Sequence, residues 1–288
     1  MPYTPKVWVS HTSISDFLKC PKAYYLKNIY KDPKSNNKIQ IITPHLALGQ
    51  AVHEVIESLA SIKTENRFDV PLVKRFDEAW NKISGKRGGF FNIEEENVFK
   101  NRGEKMLEMV RTNPGPIKKP AVKINMELPN VPLTAEGDLI LCGKIDWLEY
   151  IPETSSVNII DFKTSQESKE DPESLQLPIY HILVKNCQKY PVENAYYWYI
   201  EQSDTPTLKA LPDYDLSYQK VLAIAMKIKL ARQLESFTCP NGEDGCRECR
   251  SFQQIIDGQG EFVYEDTKTK KDIYILKALI ENREGEIM

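Results

Sequence analysis

The chain has 288 residues, 41% of them hydrophobic and 27% charged, the make-up of an ordinary globular protein and enough for one large domain. No run approaches the ~20 apolar residues of a membrane-crossing helix, and the opening segment Met1–Lys6 lacks the apolar heart of a secretory signal, so the expectation is a cytoplasmic protein (or one of the nucleoid or a host-cell interior) with no membrane partner. A net charge of −3 is not the basic excess typical of nucleic-acid binders, although a local basic groove can sit in an acidic protein.

In chain order, residues 10–30 predict a helix capped by Thr12 or Ser13, with Asp16 in its first turn and Ile14, Phe17, Leu18, Tyr25 and Leu26 as its apolar stripe. Pro21 interrupts that helix directly after Cys20. Residues 31–44 are polar and turn-rich and read as a mobile loop. Leu48, Val52, Val55, Ile56 and Leu59 recur at helical spacing, with His53 inside the helix they define. Two further helices are expected over 70–112, separated by a break at Gly88-Gly89. The period then changes: residues 121–129, 133–150 and 156–165 alternate as strands do and are enriched in β-branched residues. A helix over 171–187, a strand over 194–202, its partner over 207–212 and an amphipathic helix over 218–236 complete the reading. This order predicts the α/β class, a mixed central β-sheet flanked by helices, in a single domain over 1–288 with a helical insertion at 64–116.

Chemistry concentrates on two of the strands. Asp161 and Lys163 are two residues apart and so leave a strand on the same face. Asp146 precedes them across a turn, Ile151–Val157, short enough for a hairpin that would set Asp146 beside Asp161. Both residues of the Asp-x-Lys pair alternate with apolar Ile160 and Phe162, in a strand expected to be buried on one side. Two converging carboxylates suit a hard divalent cation, Mg²⁺ or Mn²⁺, and hydrolysis of a phosphodiester needs what such an ion supplies: an activated water and neutralised charge. Lys163 would orient or deprotonate the water and balance developing charge. Asp138 competes with Asp146 for the carboxylate role, but the Gly143-to-Asp146 spacing favours Asp146; Glu127 could approach the site from the side but reads rather as structural.

Taken together these residues resemble the PD-(D/E)XK nuclease superfamily in its RecB-like branch, which includes nuclease domains of recombination helicase–nucleases and CRISPR-associated adaptation exonucleases. The segment from Ser13 through Cys20-Pro21 to Tyr30 is similar to the family's first helix. Gly49-x-x-x-His53 resembles its Gly-x-x-x-His helix, Gly143-x-x-Asp146 its Gly-x-x-Asp motif, Asp161-x-Lys163 its Asp-x-Lys motif and Gln176-x-x-x-Tyr180 its Gln-x-x-x-Tyr motif. The resemblance implies a restriction-endonuclease-like core. It also implies a metal held by His53, Asp146, Asp161 and the Phe162 carbonyl, catalysis by Lys163 with Asp161 and Asp146, and orientation of substrate by Gln176 and Tyr180. The implied activity is Mg²⁺- or Mn²⁺-dependent cleavage of DNA, exonucleolytic on single strands or duplex ends, in repair, recombination or CRISPR adaptation, with a helicase or adaptation complex as partner. A catalytically silent module that binds nucleic acid or a partner complex is the alternative, and it would carry a broken motif; all five are intact. Lys27, Lys31, Lys34, Lys38, Lys82, Lys86 and Arg87 are candidates to flank a DNA groove, and Tyr24, Tyr25 and Tyr30 to stack on bases.

Six cysteines in a chain expected to be cytoplasmic point to metal or chemistry before disulfides. Cys142 and Cys187 sit in apolar surroundings and read as small buried hydrophobes. Cys20, Cys239, Cys246 and Cys249 could bind a 4Fe–4S cluster or a tetrahedral Zn²⁺. The family resemblance implies the iron–sulfur form, a staple joining Cys20 to residues 236–258 ahead of a C-terminal tail at 259–288. The family pattern has its short Cys-x-x-Cys first; here the longer gap comes first and no cysteine follows Cys249, which keeps zinc open.

Overall fold

In the computed structural model, which describes residues 6–166 and 171–276, strand β1 (Val7–Val9) runs extended into helix α1 (His11–Lys19). Ser10, rather than Thr12 or Ser13, is the cap: its Oγ accepts the Ser13 N–H at 3.3 Å, and Ser13 Oγ accepts the Ser10 N–H at 2.8 Å. Asp16 therefore lies beyond the first turn, where it pairs with Lys27 at 2.8 Å. Cys20 ends α1 and caps α2 (Pro21–Asn28), with Pro21 at the first helical position, where its missing N–H costs nothing.

The segment expected as a mobile loop carries strand β2 (Lys38–Ile41), whose partner lies near the other end of the chain. Helices α3 (Pro44–Ser58, capped by Thr43), α4 (Leu72–Trp80) and α5 (Ile93–Thr112) follow and pack through Leu48, Phe76, Trp80 and Phe99. Residues 121–129 form no strand beyond a single bridge from Ala121 to Glu149. Met126 and Leu128 stay 40% and 39% exposed, so their alternation has no face to bury. Next come β3 (Asn130–Pro132), β4 (Leu139–Cys142), β5 (Trp147–Ile151) and β6 (Ser156–Lys163), the stretch 133–150 being broken at Gly143–Asp146. Helix α6 (Gln176–Cys187), β7 (Val192–Tyr199), β8 (Thr207–Lys209), α7 (Tyr214–Gln233) and α8 (Arg247–Ile256) complete the body. Residues 259–276, expected as part of a tail, carry β9 (Glu261–Asp266) and β10 (Lys271–Ile275); the remainder of that tail, 277–288, lies outside the described residues.

The strands form three hydrogen-bonded groups among the described residues: β1-β4-β3, β2-β10-β9 and the mixed β5-β6-β7-β8. In the last, β5 and β6 are antiparallel, β6 and β7 parallel, and β7 and β8 antiparallel. The fold is mixed α/β of the restriction-endonuclease-like kind. Strand β6 is buried on both faces, not on one. Val157 and Ile159 pack with Ile179 and Leu183 of α6 and Val221 and Ile228 of α7, whereas Ile160 and Phe162 pack with Val52 and Ile56 of α3. Each such side chain contributes about 1.5–3 kcal/mol on leaving water, so β6 is pinned from both sides. No helix among the described residues is long and apolar enough to cross a membrane.

Candidate active site

The period-two alternation of β6 sends Ile160 and Phe162 toward α3 and leaves Asp161 and Lys163 facing α6. Across the β5–β6 hairpin Trp147 pairs with Ile160, which brings Asp146 alongside Asp161. Asp146 Oδ2 accepts the Phe162 N–H at 2.9 Å, so the carboxylate is fixed by the backbone of the strand it faces. From α3, His53 Nδ1 stands 3.5 Å from Asp146 Oδ2 and 3.4 Å from Glu57 Oε1. One turn earlier, a Cβ on Gly49 would lie 3.3 Å from Thr164 Oγ1; the bare residue lets α3 approach the end of β6 and deliver the imidazole.

Gln176, at the start of α6, ties the Asp-x-Lys pair together. Its Nε2 donates to Asp161 Oδ1 at 2.7 Å, its Oε1 accepts from Lys163 Nζ at 2.5 Å, and its Nε2 also reaches Tyr180 Oη at 3.3 Å. Lys163 Nζ is 2.6 Å from Asp161 Oδ2, yet that oxygen has no hydrogen-bond partner: the contact is an ion pair lacking hydrogen-bond geometry. His53, Asp146, Asp161, Phe162, Lys163, Gln176 and Tyr180 all line one open cleft of about 330 Å³, together with Thr164 and Ser165.

Residues 8–253 match the signature of the PD-(D/E)XK nuclease superfamily, a span that contains every residue of this cleft. The chain belongs to the PD-(D/E)XK nuclease superfamily. No curated protein matches it. PD-(D/E)XK nucleases use divalent metal ions, and the electrostatics of the cleft fit one. Burial, then the charge of Asp146, pushes the Asp161 carboxyl up to about 6 despite the opposing Lys163 and His53. Tyr180 is held well above its ordinary value by burial and by both carboxylates. Burial alone would lower the pKa of His53, but hydrogen bonds to Asp146 and Glu57 outweigh it and raise it to about 10. A buried carboxylate oxygen that has an ion pair but no hydrogen bond is only partly compensated for the water it has lost. A cation could be held by His53, Glu57 and Asp146, one ligand atom of each lying within 4.8 Å of the others; Asp161 is not in that group.

Glu57 belongs to none of the sequence motifs. It shares a helix face with His53 at i+4, and one ligand atom from each of His53, Glu57 and Asp146 falls within 4.8 Å of the others. His11, at the start of α1, likewise belongs to no motif; burial and then the Lys163 charge lower its pKa. Glu127 lines an adjoining groove with Glu57 and Asp146. Asp138 belongs elsewhere, bonded to Thr134 and Lys229 of α7.

Several residues expected to meet DNA are committed within the protein. Lys27, Lys82 and Lys86 pair with Asp16, Glu54 and Glu261, and Arg87 lies 4.2 Å over the Tyr264 ring. Tyr24 is core, and Tyr25 stacks on Phe237. Cys142 and Cys187 are half-buried rather than buried. The other four cysteines converge, one Sγ from each lying within 4.8 Å of the rest, a group able to hold a metal.

Proposed function

We propose that this PD-(D/E)XK protein is a Mg²⁺- or Mn²⁺-dependent deoxyribonuclease that hydrolyses DNA phosphodiester bonds, acting as an exonuclease on single strands or duplex ends. The observation that carries the reading is the buried, under-bonded Asp161, set beside Asp146 and held together with Lys163 by Gln176. On this reading His53, Asp146, Asp161 and the Phe162 carbonyl hold the cation. When bound, that ion supplies an acidified water and charge neutralisation at the scissile phosphate. Lys163 orients the attacking water and offsets charge that grows on the phosphate oxygens. Gln176 keeps the aspartate and the lysine in one orientation, and Tyr180, bonded to Gln176, contacts the substrate backbone. Glu57, 3.4 Å from the same His53 Nδ1 that faces Asp146, steadies the ring.

Exonuclease action, and a place in repair, recombination or CRISPR adaptation beside a helicase or adaptation complex, are supported by the order of the five motifs, which is that of the RecB-like branch. The unit is a single nuclease domain over 1–288, with 64–116 as an insertion whose α4 and α5 brace α3. The test is degradation of end-labelled single- and double-stranded DNA with Mn²⁺, with Mg²⁺ and with chelator. Mononucleotides released progressively from ends are the expected product. Metal-dependent internal cuts would remove the exonuclease part. Binding without cleavage would mark a silent nuclease-fold module.

A further inference from the structure

None of the four clustered cysteines lines the cleft, and their spacing discriminates between the two groups that four thiolates commonly hold. Cys249 Sγ is 3.9 Å from Cys246 Sγ and 3.8 Å from Cys239 Sγ, and one Sγ from each of the four lies within 4.8 Å of the others. All four are free thiols. Zinc–thiolate bonds of about 2.3 Å put the corners of a tetrahedron about 3.8 Å apart. In a 4Fe–4S cluster each cysteine binds a different iron, so the thiolates are separated by the iron–iron distance plus two outward bonds. That spread is far wider than the edge of a one-ion tetrahedron, and a cubane would have to force α2, α8 and the Cys239 loop apart.

We infer that Cys20, Cys239, Cys246 and Cys249 form a closed tetrathiolate site for one Zn²⁺, not a cradle for an iron–sulfur cluster. The local backbone is built for this. Cys20 caps α2 and its Sγ accepts the Ala23 N–H at 3.3 Å; Cys246 caps α8 and its N–H donates to Cys249 Sγ at 3.3 Å. Backbone N–H groups at two helix starts thus face sulfur that carries negative charge when a metal binds. Gly245 makes the return possible: its φ is +71°, and a Cβ there would stand 3.2 Å from Cys249 Sγ. Ala23, Leu26, Phe252 and Ile256 wrap the sulfurs, with Cys20 and Cys249 almost wholly buried. Four protein ligands in an apolar wrapping leave no position for a substrate, the mark of a structural zinc site. The ion would tie α2 to α8 and so join remote parts of the chain.

The full chain, produced in medium containing both iron and zinc and purified without oxygen, is examined by elemental mass spectrometry, a labile-sulfide assay and visible absorbance. About one zinc per chain, with no sulfide and no brown absorbance, is the expected result. Iron and labile sulfide at cluster stoichiometry, or a metal-free protein with four reactive thiols, would overturn the inference. Exchange with Co²⁺ gives a second readout on the unaltered protein. The inference requires the strong thiolate-to-cobalt charge-transfer and visible bands of a tetrahedral site; a weak six-coordinate spectrum contradicts it. Cys246→Ser should diminish those bands, and the unaltered protein's spectrum decides by itself whether or not that variant folds. Incubation with iron and sulfide under reducing conditions should leave the zinc in place, and zinc displaced by a brown cluster would again count against the site.

Discussion

The nuclease cleft and the cysteine cage are both assembled from distant segments, yet they solve opposite problems. In the cleft, charged groups are held close together by a scaffold that exists without them: a sheet buried on both faces, α3 brought near by Gly49, and α6 presenting Gln176. The result leaves Asp161 under-bonded while His53 and Lys163 keep about a quarter of their side chains exposed, 26% and 25%. In the cage, Cys20, Cys239 and Cys249 are buried, Cys246 is half-buried, and Ala23, Leu26, Phe252 and Ile256 pack around the sulfurs that join α2 to α8. A site that must admit substrate stays open and tense; a site that only holds the chain together is closed and relaxed. The scaffold makes the first, and on our inference the metal makes the second.

The largest expected effect separates them directly. Asp161→Ala and Lys163→Ala should each lower metal-dependent DNA cleavage by about 10³-fold or more. The melting temperature of Asp161→Ala should be unchanged or higher, because a buried, poorly satisfied charge is gone. Cleavage that survives in both variants would remove the cleft from the chemistry, and a collapse of Asp161→Ala would make it a structural residue. The cage should respond the other way round. Cys20→Ser is expected to lower the melting temperature by several degrees, about 2–4 °C for each kcal/mol lost, because ion binding there is folding energy. Calorimetry of the variant checks this, and an unshifted transition would show that the cage does not hold the ends together.

Glu57→Gln sharpens the comparison inside the cleft. If Glu57 steadies His53, the Mn²⁺ concentration for half-maximal cleavage should rise about tenfold while the rate at saturating metal stays within a few-fold. A fall in the saturated rate with unchanged metal dependence would instead put Glu57 in the chemical step. The smallest expected effect lies in local structure. Ser10→Ala removes one half of a reciprocal cap and should cost about 1 kcal/mol, read by urea unfolding. Stability equal to the parent's would show that Ser13 Oγ alone, on the Ser10 N–H, sustains the helix start.

The features legible in the sequence were those with a short-range cause. Asp161 and Lys163 share a face because strands repeat every two residues, and Gln176 and Tyr180 share one because helices repeat near every four. The break at Pro21 likewise follows from one residue's missing N–H. Sequence and structure part where a remote partner decides. Lys38–Ile41 is a strand only because Lys271–Ile275 lies beside it, and residues 121–129 alternate like a strand but find no such neighbour beyond one bridge. Ser10 is the cap because the helix begins where β1 releases the chain, not where the hydroxyls are densest. Glu57 reads as a solvated helix charge along the chain, and only the fold brings Asp146 to the same His53 Nδ1 that Glu57 faces.

By itself, then, the sequence determined the family, the α/β class and the kinds of side chain that would gather, since motif spacing and periodicity are carried by near neighbours along the chain. Tertiary structure alone decided that Glu57 joins His53 and Asp146, which lysines are already paired, and how far apart the four sulfurs stand. Those quantities are set by the packing of α3 and α6 on the sheet and of α2 on α8, between segments whose separation along the chain says nothing of their distance in space.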